Sequence, residues 1–100
     1  MNTPWGSSQS VEVIAPGIRF LSTASHGGIE LSRERLAEMP AHLKTPTTFY
    51  QAGSTFFEED CEYARVVLAF PQYFTPTQVK QADQSLRVIH PEIFAKEAAR

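Results

Sequence analysis

The run Ser10 to Leu31, SVEVIAPGIRFLSTASHGGIEL, decides how this chain must fold. Val11, Val13 and Ala15 fall on one face of its first segment. In the next segment Ile18, Phe20 and Ser22 share one face, while Arg19, Leu21 and Thr23 share the other. Alternation with a period of two marks strands, and Pro16-Gly17 and Gly27-Gly28 are turn dipeptides. The spacing therefore predicts two strands, a second turn at the glycine pair, and a short third strand over Ile29–Leu31. Such a meander stays dry only if helices cover one of its faces.

The rest of the chain supplies those helices. Ser32 is placed to cap RERLAEM, where Leu36, Met39 and Leu43 have helical spacing interrupted by Pro40. One short helix and an irregular extension follow from that pattern. KTPTTFYQAGSTFF is rich in breakers and reads as a loop with an extended piece around Phe49 and Tyr50. EEDCEYARVVLAF is the best helix, with Glu58, Glu59 and Asp60 in the first turn, where acids complement the helix dipole. Its apolar stripe is Cys61, Ala64, Val67 and Leu68, and Pro71 ends it. Thr75 and Pro76 form a cap and first position for a last long helix, with Val79, Ala82, Leu86 and Ile89 on its buried side. Pro91 breaks that helix before a short closing one. Residues 1–9 form an irregular arm with Trp5 as its only large apolar group. The expected architecture is one α+β domain over residues 1–100, a short antiparallel meander of about three strands packed against two or three helices.

Composition narrows the function classes. Of the 100 residues, 42% are hydrophobic and 20% charged, which is ordinary for a globular domain. The net charge of -2 comes with scattered basic residues, so direct nucleic-acid binding is not expected. A single cysteine excludes an internal disulfide and fits a reducing, cytoplasmic compartment. The start MNTPWGSSQS lacks the basic and apolar regions of a secretory signal, and no apolar run is long enough to span a membrane.

Two stretches could carry chemistry. His26 suits proton transfer or ligation, and the adjacent Gly27 and Gly28 allow close approach of a ligand to backbone amides. A tight hairpin needs glycines in any case, so SHGG reads first as a turn and second as a site. FFEEDCEY offers three consecutive acids beside a thiol. On a helix, however, successive side chains diverge by about 100°, so Glu58, Glu59 and Asp60 cannot converge on one ion. Cys61 would sit among carboxylates that oppose its ionisation. His42 and His90 lie at segment ends, with no second ligand at zinc spacing. No metal, no cofactor and no catalytic constellation is expected, although an enzyme is left open. The aromatics Trp5, Phe49, Tyr50, Phe56, Phe57, Tyr63, Phe70, Tyr73 and Phe74 divide between core and partner anchors.

TPWGSSQSVEVIAPGIRFLSTASHGGIELS, FFEEDCEYARVVLAFP and the final helical segment, in that order, resemble the domain-of-unknown-function family numbered seven thousand and seven. The resemblance implies a setting in proteobacterial plasmids, integrated elements and phages. It also implies that His26, Gly27, Gly28, Glu58, Glu59, Asp60 and Cys61 form a shared surface. The expected function is a small binding protein that inhibits a host defence complex, such as a CRISPR effector, through protein contact. Its partner-binding candidates are His26, Glu58, Glu59, Asp60, Trp5 and Tyr63. The alternative is a nucleotide sponge or a His/Cys/carboxylate enzyme built on Ser25, His26, Gly27, Gly28, Glu58 and Cys61.

Overall fold

The computed structural model describes residues 2–24, 26–47, 50–59 and 62–94. Its centre is a four-stranded antiparallel sheet in the order β3-β4-β5-β6, formed by β3 (Ser10–Ala15), β4 (Ile18–Ser22), β5 (Gly27–Leu31) and β6 (Phe56–Glu58). Ahead of it, β1 (Asn2–Thr3) and β2 (Gly6–Ser7) pair as a small hairpin, so the N-terminal arm is more regular than its composition suggests. Helices α1 (Arg33–Glu38), α2 (Tyr63–Ala69) and α3 (Pro76–Ile89) complete an α+β fold, with 3-10 turns at Ala41–Lys44 and Pro71–Tyr73.

The first hairpin has its expected strands and turn. An irregularity between Val13 and Ala15 turns Ala15 into the core while Val11 and Val13 stay exposed, so the three do not share one face as expected. Ala15 pairs with Ile18, and Gly17 between them has φ of 79°, a left-handed value that glycine adopts without strain. This turn docks on the start of α1 through Ser32 N–H to Gly17 O at 2.8 Å. Arg35 fastens the same corner, with Nε donating to Pro16 O at 2.8 Å and Nη2 to the Tyr73 hydroxyl at 3.0 Å. Both expected caps are formed. The Ser32 hydroxyl accepts from Arg35 N–H, and Thr75 with Gln78 forms a reciprocal capping box.

The second hairpin differs from expectation. Ser22 pairs with Gly27, which makes Thr23 to His26 the loop and puts both glycines inside β5. Neither has positive φ. Gly28 is required by close approach, since a Cβ there would stand 2.3 Å from Phe57 O and 2.5 Å from the Trp5 ring. The acidic run differs as well. Glu58 closes an edge strand and α2 begins only at Tyr63, so Glu58 and Glu59 do not occupy a first helical turn. The pairing of Ile29 with Phe57 explains the difference: extended backbone lets Phe57 reach the core, where it is fully buried. That gain outweighs a weak helical preference, as tertiary packing commonly does.

Pleating divides the sheet into two faces. Ile18, Ile29, Leu31 and Phe57 point into the main core with Val66, Val67, Ala82, Leu86 and Ile93 from the helical side. Arg19, Leu21, Gly28, Glu30, Phe56 and Glu58 occupy the opposite face by cross-strand register. There Leu21 is fully buried without belonging to the main core. Trp5 covers this region, its ring meeting Phe56 edge-on at 5.9 Å. Ile89, expected on the buried side of α3, is 46% exposed. At 14 residues α3 is twice as long as the seven-residue α2, which cannot cover all of it.

Candidate functional site

The turn and the acidic segment meet. Gly28 pairs with Glu58, and Glu59 N–H donates to Gly27 O at 2.9 Å. The glycine backbones thus take part in the sheet, Gly28 between Leu21 and Glu58 and Gly27 between Ser22 and the Glu59 N–H. His26 is exposed at the loop end. Its backbone is fixed by Thr23, whose hydroxyl accepts from His26 N–H at 3.0 Å and donates to His26 O at 2.6 Å. Glu58 and Glu59 are half-buried, Glu58 on the Trp5 side of the sheet. Ser25, Asp60 and Cys61 lie outside the described residues.

Tyr63 is not part of this surface. It lies at the start of α2 and lines a shallow groove of about 280 Å³ with Gln81, Ser85 and Ile89 of α3. The candidates therefore divide into two places: Trp5, His26, Glu58 and Glu59 around the sheet, and Tyr63 on the helical side.

The densest ionic cluster is one that the sequence reading passed over. Glu62 and Arg65 have no solvent exposure and His90 has 8%. Arg65 Nε donates to Glu62 Oε2 at 2.6 Å, and Nη1 donates to Leu43 O at 3.1 Å and Thr45 O at 2.6 Å. Thr47 Oγ1 donates to Glu62 Oε1 at 2.9 Å, and His90 Nε2 stands 3.1 Å from the same oxygen. Among the described residues, Arg65 Nη2 has no hydrogen-bond partner. The guanidinium instead lies 4.9 Å from the centre of the Tyr50 ring, which in turn stacks on Phe57 at 4.7 Å. Burial raises the Tyr50 hydroxyl above its ordinary range, with the Arg65 cation opposing this and the Glu62 carboxylate adding to it.

This arrangement joins parts remote in sequence: Leu43, Thr45, Thr47 and Tyr50 ahead of β6, the start of α2, and the C-terminal cap of α3. Acid, guanidinium and imidazole bind one another out of reach of solvent, which makes them a structural clamp. One signal in the sequence could have exposed it. Arg65 interrupts an otherwise apolar run, YARVVLAF, and a charge within a buried stripe must be paired. Glu62 stands three residues before it on the same helical face.

Among the described residues, no group of three or more His, Cys, Asp or Glu side chains is placed to hold a metal ion. Nor is any described helix long and apolar enough to cross a membrane. A family model described as "Domain of unknown function (DUF7007)" matches residues 1–100. No match was found among curated proteins or among solved structures.

Proposed function

The chain belongs to the family Domain of unknown function (DUF7007), and from that premise we propose that it is a small binding protein acting through the helix-free face of its sheet. The observation that carries this reading is apolar exposure there: Val11 is 49% and Val13 66% exposed. Both project on the same side as Arg19 and Leu21, with which they pair. Isolated exposed apolar residues are ordinary, but neighbours on one strand, on the same face of the sheet as a partly exposed tryptophan, suit a protein contact. Glu62, Arg65 and His90 are meanwhile committed to one another in the clamp.

The contact is apolar and aromatic in this reading, with Glu58 and Glu59 at its margin for orientation. A mimic of nucleic-acid phosphates fits less well, because Glu58 ends a strand and Glu58 and Glu59 are half-buried. The target class in this reading is a bacterial defence complex in the cytoplasm, with CRISPR effectors first, which follows from the mobile-element setting that the family resemblance implies. The test adds purified protein to reconstituted defence nucleases and follows both target cleavage and co-elution. Stoichiometric inhibition of one of them, lost in Val11→Glu/Val13→Glu and kept in Tyr63→Ala, supports the proposal. Undiminished cleavage without co-elution across the panel overturns it.

A further inference from the structure

We propose that β3 is the contact through which two copies of this chain pair, edge to edge, in an antiparallel register centred on Val11. The reasoning begins with backbone. In the order β3-β4-β5-β6, β3 is an edge, bonded to β4 on one side only. Its outer N–H and C=O groups are a template for another strand. Soluble proteins commonly protect such an edge with proline, lysine or a central bulge. SVEVIA has neither proline nor lysine, and its irregularity lies between Val13 and Ala15, near its end.

The sequence of the strand then selects the occupant and the register. A twofold axis normal to the sheet keeps each copy's valines on the same face, so only pairings of like-facing residues qualify. Centred on Glu12, the pairing sets Glu12 directly against Glu12 of the second copy, a like-charge contact that destabilises. Centred on Val13, it runs through the bulge. Centred on Val11, it sets Val11 against Val11 and Glu12 against the Ser10 hydroxyl of the second copy, with Val13 opposite Gln9, where only the Gln9 carbonyl can bond across because the Gln9 N–H already donates to Ser22 O at 2.7 Å. No charge is then opposed by its like, and the exposed carboxylate of Glu12 gains a donor. The valine pairs also merge into one apolar strip across both copies, which doubles the face proposed above for partner contact. The pairing itself stands on the strand and not on that reading.

A contact of about five residue pairs is small, so the dimer is weak and concentration-dependent. Sedimentation under reducing conditions, from micromolar to millimolar protein, should show a reversible shift from monomer to dimer. Val11→Lys should remain monomeric throughout, with an unchanged far-ultraviolet spectrum. Register is read by cross-linking in a Cys61→Ser background. In the proposed pairing Val11 lies about 5 Å from its counterpart between Cα atoms, within disulfide reach. Val13 lies about 14 Å from its own. Val11→Cys should therefore oxidise to a covalent dimer at least tenfold faster than Val13→Cys. A wild-type protein that stays monomeric at millimolar concentration overturns the proposal, and so does cross-linking at Val13 as fast as at Val11. A dimer that inhibits no defence complex defeats the functional reading alone, whereas inhibition by a strictly monomeric protein defeats the pairing alone.

Discussion

Each side of the sheet carries an arginine–glutamate pair, and the two pairs do different work. On the helical side Arg65 and Glu62 are wholly buried and tie three segments together. On the other side Arg19 meets Glu30 across neighbouring strands, with side-chain exposures of 35% and 17%. Water competes for the second pair and screens it, whereas the first has no alternative partners outside the domain. The same chemistry is a structural necessity in one setting and an accessory in the other.

Breaking the buried pair should have the largest effect. Arg65→Met leaves Glu62 without its cation and should cost about 3–5 kcal/mol in urea unfolding. Against a total of about 5–15 kcal/mol for a domain of this size, that is a large share of the stability margin. Arg65→Met/Glu62→Met removes both charges and should recover a large part of that loss. If the single variant unfolds like wild type, the cluster is no clamp.

How far this contrast could be read in the sequence depends on the range of the forces involved. β3, β4, the Pro16-Gly17 turn and the caps at Ser32 and Thr75 were legible because each is fixed by neighbours in the chain. The glycine pair was misplaced because Gly28 answers to Trp5 and to the carbonyl of Phe57, both far away in sequence. Likewise the acidic run was expected in a helix because its local preference is helical, while Phe57 is recruited to the sheet by Ile29. Of the candidate surface, the adjacency of Gly27 and Gly28 to Glu58 and Glu59 emerges only from β5–β6 pairing. Glu62, Thr47 and His90 come from three segments, so no short motif announces them.

Next in size comes the bare face. Gly28→Ala sets a methyl group against the Phe57 carbonyl and the Trp5 ring and should cost about 1–3 kcal/mol, measured as a lowered midpoint in urea. Gly27→Ala meets less, with Leu21 O at 3.0 Å and the Glu59 carboxylate at 3.5 Å, and should cost less than Gly28→Ala.

Returning to the helical side, Tyr50→Phe loses the bond from the hydroxyl to Ser54 O at 2.8 Å, worth about 0.5–1.5 kcal/mol. The pH dependence sharpens this. Burial raises the folded-state pKa of Tyr50 above the ordinary tyrosine value of 10.0, so the unfolded chain releases the proton first. Its contribution is complete below pH 10 and declines as pH rises beyond it. The gap between wild type and Tyr50→Phe should narrow over that alkaline range in paired melting curves; a constant gap would show that Tyr50 is not shielded.

The smallest effect belongs to the exposed pair. Arg19→Ala should change stability by no more than about 1 kcal/mol, and added salt should shrink the difference. A loss as large as that of Arg65→Met would erase the distinction between the two sides.

The packing of Trp5 against Phe56 and the Gly28 backbone has a spectroscopic consequence. As the sole tryptophan of the chain, it alone emits at the long-wavelength end of the ultraviolet fluorescence. Its emission maximum therefore reports whether the N-terminal hairpin rests on the sheet, whatever the state of the helices behind it. Detachment of that hairpin would register as a red shift while the circular dichroism of α2 and α3 stayed constant, so one cuvette can follow the two halves of the domain separately.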